Sequence, residues 1–307
     1  MTLIVAKIVD ENLRCISDTK VTDRRGEKVD PIDGVLKSVI LDPKCFLAYA
    51  GINYYAEILL DEFYSAHLPD LEKLINRCLV LNQESNDEIE FCIGYITNNI
   101  PKLIKISNKK IEENLSNLWL GDKMAFDLYQ EVMITGKIKN SVTYNAFRVS
   151  ESMNPELSKM LTPFEDVIAD NSIESVGHFL VSIHTVIDGS NLIFMYSQLS
   201  KIHIIEQNLL LKNKRGAIEF GGADKGGYGT CYLRSINLFQ PAIAIYFPQG
   251  KFGIFFYPKK HRNKPIIIRN IANGEAFAFE IKNNYNIDLD GMVESDGSAL
   301  KRIRTVI

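Results

Sequence analysis

"TLIVAKIVDENLRCISDTK", residues 2–20, is the stretch whose reading decides the fold. Two apolar runs, Leu3 to Ile8 and Leu13 to Ile16, flank the polar "VDEN", a pattern that predicts a β-hairpin. Thr2 heads the first strand, so close to the start that no targeting segment is expected before it. Thr2 is then either an ordinary strand residue or, once Met1 is cleaved, a reagent. A hydroxyl is a weak nucleophile near neutral pH unless a base lies within hydrogen-bond reach. A free α-amine, with a reference pKa of roughly 7.7–8.0, is such a base, and here it would sit on the same residue as the hydroxyl. Thr is small enough for ordinary removal of the preceding Met.

Outward from this hairpin, the charged "TDRRGEKVDPIDG" at 22–34 reads as a loop, and "GVLKSVILDPKCFLAYAG" at 34–51 as a second hairpin turning at "DPK". Ile52, Tyr55, Ile58, Leu59 and Phe63 then recur at helical spacing, with Asn53 as a cap, and "LPDLEKLINRCLVL" supplies a further helix. The order repeats downstream. Strands in "EIEFCIGYI" and "PKLIKIS" precede a glycine turn and a helix in "NLWLGDKMAFDLYQEVM", and "PELSKMLTPFEDVI" predicts another helix. "GHFLVSIHTVI" and "LIFMYSQ" read as strands. Beyond about residue 200, "AIAIYFPQGKFGIFFYP" alternates apolar residues about "PQG" as a hairpin and "KPIIIRNI" reads as a strand. "GEAFAFEIKNNY" fits helix or strand, and the polar residues 288–307 are expected to fray.

The 307 residues allow one or two domains. A hydrophobic content of 46%, a charged content of 24% and a net charge of −3 fit a globular chain and give no general attraction to nucleic acid or anionic membrane. The cysteines Cys15, Cys45, Cys78, Cys92 and Cys231 are odd in number and never spaced C-x-x-C, which argues against a disulfide framework or a zinc site. No apolar stretch reaches the roughly 20 residues that span a bilayer. A cytoplasmic location is the resulting expectation.

"TLIVAKI", "ISDTKVT", "GVLKSVILD" and "FLAYAG" before a helix together resemble the β-subunits of proteasomes and the peptidase subunit of the bacterial proteasome-like protease, both N-terminal nucleophile hydrolases. That family carries an Asp near the end of the second strand, a basic residue two positions on, a Lys at the start of the third strand and a Gly ending the fourth. The resemblance assigns these places to Asp18, Lys20, Lys37 and Gly51. Sixteen positions separate Thr2 from Asp18 and fourteen separate Lys37 from Gly51, as in the family. It implies that Thr2 is the nucleophile, that Lys37 favours its alkoxide while Asp18 holds the ammonium, that the Gly51 amide donates to an oxyanion, and that Lys20 shapes the pocket.

The resemblance weakens toward residue 200. "WLGDKMAF" resembles the family's Gly-Ser-Gly turn into a helix, with Leu120 where the amine-supporting serine stands. "SIESVGHFLVSI" resembles its Asp-x-x-Ser-Gly-Gly segment: Ser175 and Gly177 match, Ser172 replaces the Asp, and Asp170 or Glu174 could stand in only if the loop is reshaped. Three other features carry less. The glycines of "GGADKGGYGT" lack the phosphate-loop order and read as turns. "PKKHRNKP" reads as a solvated basic loop, and His178 and His184 as neighbours on one side of a strand.

The expected fold is α+β: a four-layer αββα sandwich over residues 1–200, with a mostly β C-terminal extension over 201–307. The expected function is a threonine peptidase that cleaves peptide or other amide bonds through an acyl-Thr2 intermediate, with Asp18, Lys20, Lys37, Gly51 and Ser175 completing the site. The competing expectation is an inactive scaffold or binding protein that keeps the fold, favoured by Leu120 and Ser172. No cofactor or metal is implied. The partners implied are a peptide or protein substrate, further copies of the chain in a ring, and an ATPase or regulatory partner.

Overall fold

The computed structural model describes residues 2–21, 34–65, 70–139, 154–170, 172–200, 231–247, 251–295 and 299–305. They form a mixed α+β fold with three antiparallel sheets. The first hairpin joins β1 (Leu3–Val9) to β2 (Asn12–Asp18). Asp10 and Glu11 at its tip have φ of 47° and 61°, the left-handed pair whose twist matches that of the flanking strands. β8 (Asn117–Gly121), β9 (Leu180–Asp188) and β10 (Asn191–Ser200) complete the first sheet in the order β10-β9-β2-β1-β8. The second sheet runs in sequence order through β3 (Ser38–Asp42), β4 (Cys45–Gly51), β5 (Ile89–Thr97), β6 (Ile100–Ser107) and β7 (Lys110–Glu112).

Side-chain alternation decides what each face covers. In β1, Ile4 and Ala6 enter the core shared with the second sheet, whereas Leu3 and Val5 join a separate cluster with α3 (Lys123–Thr135), α4 (Pro155–Ser158) and α5 (Leu161–Ala169). Phe46 of β4 meets Phe194 of β10 edge-to-face at 4.9 Å across the two sheets. The opposite face of β4 turns Tyr49 toward α1 (Asn53–Ser65), and α2 (Leu71–Glu84) buries Leu74, Cys78 and Leu81 in the same core. Asp70 caps α2 through the Glu72 amide. Asn53 is no cap; it lies within the first turn of α1 and hydrogen-bonds side chains instead. The helix expected over 155–168 is broken into α4 and α5.

The third sheet has the order β14-β13-β12-β11-β15-β16, made from β11 (Cys231–Ser235), β12 (Ile243–Phe247), β13 (Phe252–Phe256), β14 (Pro265–Arg269), β15 (Leu289–Ser295) and β16 (Ala299–Arg304). Ile243, Ile245, Phe247, Phe252, Ile254 and Phe256 project into the core of the first two sheets. The alternate residues Ala244, Tyr246 and Phe255 cover α7 (Gly274–Tyr285), which settles "GEAFAFEIKNNY" as a helix. The third sheet therefore shares a core with the rest of the chain instead of hanging from it.

Among the described residues after 288, two paired strands stand where fraying is expected. β15 and β16 pair from Asp290↔Arg304 to Ser295↔Ala299, and Arg302 grips Asp290 through two hydrogen bonds of 2.8 and 2.7 Å. The basic "PKKHRNKP" is not a free loop either. It forms the short α6 (Pro258–His261) and then docks on α1, with Arg262 Nε 2.5 Å from Asp61 and Lys264 Nζ 3.1 Å from Glu57. The glycine-rich 221–230, the "PQG" turn and most of the loop at 22–34 lie outside the described residues. Among the described residues no helix is long and apolar enough to cross a membrane.

Candidate functional site

Strand register brings three distant residues to one end of the first sheet. Ile4 pairs with Ser17, which sets Asp18 beside the start of β1, and the Leu3 amide donates to Asp18 Oδ1 at 3.4 Å. On the other side of β1, Leu3 pairs with Gly121, and the Asp122 amide donates to Thr2 O at 2.7 Å. The hydroxyls of Ser17 and Ser38 lie 2.8 Å apart across the two sheets, so Lys37, the residue before β3, arrives next to Asp18.

Lys37 Nζ donates to Thr2 Oγ1 at 2.6 Å and to the two Asp18 oxygens at 3.1 and 3.0 Å. The Thr2 hydroxyl donates to Asp18 Oδ1. All three residues are buried: Thr2 is 1%, Asp18 0% and Lys37 5% exposed. The Asp18 carboxylate also accepts from the backbone amides of Lys20 at 3.0 Å and Gly177 at 3.2 Å. Burial pushes the Lys37 ammonium below the usual lysine range and the Asp18 carboxyl above the usual carboxylate range, and the attraction between them opposes both shifts. Lys20 contributes a further positive charge that disfavours protonation of Lys37. Such a lysine can lower the cost of an adjacent alkoxide more than an exposed one, because little water screens it.

The remaining expected residues are placed as follows. Lys20 packs against Gly177, where a Cβ would stand 3.0 Å from Lys20 Cδ. Gly51 ends β4 with φ of 118° and is exposed; its neighbour Ala50 has its Cβ 3.3 Å from the position a Cβ on Gly121 would take, which brings the end of β4 to the Thr2 side. Ser175 Oγ donates to Asp122 Oδ2 at 2.6 Å. Ser172 is exposed and hydrogen-bonds Asp170 through both its amide and its hydroxyl, so these two residues hold their own turn.

Leu120 is a fully buried core residue paired with Ile4. The polar residue at this turn is Asp122, two positions on. Its Oδ1 caps α3 by accepting from the Met124 and Ala125 amides at 2.8 and 3.1 Å, its Oδ2 takes the Ser175 hydroxyl, and its amide holds Thr2 O. Asp122 was legible as a helix cap after Gly121, and nothing in its sequence context marked it as a neighbour of Thr2.

His178 and His184 do not share a strand face. His184 lies in β9 opposite Arg14, whereas His178 precedes the strand with φ of 66°. The amides on either side of His178 are tied down, Gly177 N to Asp18 and Phe179 N to Thr19 Oγ1 at 3.1 Å, which fixes the left-handed conformation between them. Burial pushes both imidazoles down to about 3, with nearby cations adding to the effect. Unfolding lets each regain an ordinary affinity for protons, so stability is present above pH 6.5 and is lost as pH falls from 6.5 toward 3. The slope within that window is about 1.4 kcal/mol per pH unit per histidine at most. Urea denaturation of His184→Gln at pH 7 and pH 4.5 is expected to show a smaller loss than the parent; an equal loss removes His184 as the cause.

Among the described residues no group of three or more His, Cys, Asp or Glu side chains is placed to hold a metal ion. Compared with known proteins, the chain matches no family model and no curated protein.

Proposed function

We propose that the chain is a threonine-dependent hydrolase of the N-terminal nucleophile type, built as a four-layer αββα sandwich, that cleaves a peptide or other amide bond through an acyl-Thr2 intermediate. One observation carries the reading: a buried lysine lies 2.6 Å from the hydroxyl of Thr2 and is held by a buried carboxylate. With Met1 removed, the Thr2 amine takes the hydroxyl proton as Oγ1 attacks the carbonyl carbon. Lys37 stabilises the developing negative charge, and the Gly51 amide donates to the oxyanion. The amine then protonates the leaving nitrogen as the amide C–N bond breaks, and water hydrolyses the Thr2 ester. Asp122 and Ser175 supply the polar support beside the Thr2 backbone that Leu120 and Ser172 do not. By the same resemblance, the substrate is peptide or protein, the chain assembles with its own copies, and an ATPase or regulatory protein delivers substrate.

A second reading, a non-catalytic scaffold, is favoured by the exposed Ser172–Asp170 turn and by the hydroxyl of Thr2 already donating to Asp18. Intact mass of the native protein separates the two. The hydrolase reading expects a Thr2 start and a covalent adduct with an epoxyketone, which bonds both the hydroxyl and the amine, lost in Thr2→Ala. A native protein that retains Met1 removes the base and leaves the scaffold.

A further inference from the structure

The chain entering Lys37 is fixed from outside the first two sheets. Asn263, between α6 and β14, is fully buried, and its carbonyl accepts from the Leu36 amide at 2.9 Å. Its side-chain Nδ2 donates to the Tyr49 hydroxyl at 2.5 Å and to Asn53 Oδ1 at 2.6 Å. The Tyr49 hydroxyl in turn lies 3.1 Å from Leu36 O, and the Tyr49 amide donates to Lys37 O at 3.0 Å. Both polar groups of Leu36 and the carbonyl of Lys37 are thus held by a network in which Asn263 is the hub. Asn53 Nδ2 donates to Glu57 Oε1 at 2.6 Å, which fixes the Asn53 amide with its oxygen toward Asn263.

This network differs in kind from the contacts around it. Arg262–Asp61 and Lys264–Glu57 flank Asn263, but each pair has a member more than 60% exposed, so they dock the segment weakly and without fine geometry. Asn263 is instead fully buried; its Oδ1 has no hydrogen-bond partner among the described residues, so its two Nδ2 bonds are what fix the side chain, and losing one leaves a further buried polar group unsatisfied. Lys37 reaches Thr2 through a long flexible stem. Its ammonium lies within 2.6 Å of Oγ1 at the end of that stem, and the carbonyl before its Cα, Leu36 O, is held by the Tyr49 hydroxyl, which Asn263 Nδ2 holds in turn.

We propose that Asn263 is a positioning residue for Lys37, and that the third sheet is thereby a working part of the Thr2 site. The inference rests on the hydrolase reading for its consequence in rate, though not for its consequence in geometry. Asn263→Ala keeps the carbonyl that holds Leu36 and removes the two side-chain donors. Acylation of Thr2 by a β-lactone is expected to slow on the order of 10²-fold, as misplacement of a reacting group by about 1 Å does. The basic limb of its pH–rate profile is expected to move to higher pH as Lys37 relaxes toward water. Tyr49→Phe, which preserves packing, is expected to slow acylation in the same direction, and the double variant to be slower by less than the product of the two. The titration of Lys37 itself, followed by the 13C shift of its Cε in the full-length protein, is expected to move upward in both variants.

Arg302→Ala removes a hydrogen-bonded pair elsewhere in the third sheet and serves as the control: lower stability, unchanged rate and profile. Wild-type rate, profile and Lys37 titration in Asn263→Ala and Tyr49→Phe overturn the proposal. A wild-type protein starting at Thr2 that the β-lactone does not acylate overturns the hydrolase reading, while a Lys37 titration shifted from wild type in Asn263→Ala and Tyr49→Phe still supports the positioning.

Discussion

If Thr2 is the nucleophile proposed above, Lys37→Met is expected to reduce its acylation by on the order of 10³-fold, because it removes the buried ammonium that donates to Thr2 Oγ1. The same change strands the Asp18 carboxylate, which is 0% exposed, and breaking a buried ion pair from one side costs about 3–5 kcal/mol. The two effects are separable. Lys37→Met combined with Asp18→Asn removes the stranded charge, so stability measured by urea denaturation is expected to recover most of the loss while acylation stays at the background of Lys37→Met. Recovery of both together means that Lys37 matters only for folding; a single variant with wild-type acylation removes Lys37 from the chemistry altogether.

Gly121→Ala is the second large effect. Gly121 has φ of 97°, and a Cβ there would stand 2.0 Å from Thr2 O, a collision with backbone that no side-chain rotation relieves. The Leu3–Gly121 pair and the bond from Asp122 N to Thr2 O hold the start of β1, so the displacement falls on Thr2 itself. A loss of at least about 2 kcal/mol is expected from strain and overpacking. Acylation is expected to slow on the order of 10²-fold as the hydroxyl leaves its place beside Lys37. Gly136→Ala separates the causes: Gly136 also has a positive φ, of 67°, but nothing lies within 4 Å of its Cβ position. It is expected to cost only the conformational term, about 1–2 kcal/mol, with acylation unchanged. Equal effects of the two variants on Thr2 reactivity contradict the collision argument.

The parts of this arrangement that could be read from sequence are those set by local rules. Strand alternation and turn residues mark the hairpins β1–β2 and β3–β4; Thr2, Asp18 and Lys37, which the fold gathers, come from the family resemblance that those strands carry. What escaped the reading depends on distance along the chain. Asn263 meets Tyr49 across 214 positions and Ser175 meets Asp122 across 53, and no periodicity encodes either contact. Asp122 stands where a helix cap is expected, and that position says nothing of its second contact with Ser175. The terminal hairpin β15–β16 reads as a polar tail because its buried apolar residues, Leu289 and Ile303, stand far apart in sequence, and the ladder pairing and the Arg302–Asp290 grip leave no periodic apolar signal. The basic segment at 258–265 looked solvated for a similar reason: its lysines and arginine are surface groups, and only the asparagine between them is fully buried.

The interior common to all three sheets also sets an order of events during synthesis. A ribosome adding roughly 5–20 residues per second releases the first two sheets roughly 5–20 s before the third can close over them. Throughout that interval the apolar surface destined to meet Ile243, Ile245 and Phe252 is open to water and to other nascent chains. Folding helpers that mask such surfaces are therefore needed most at the stage when the polypeptide is about two-thirds made. A version truncated near residue 200 is expected to precipitate instead of surviving as a smaller folded protein.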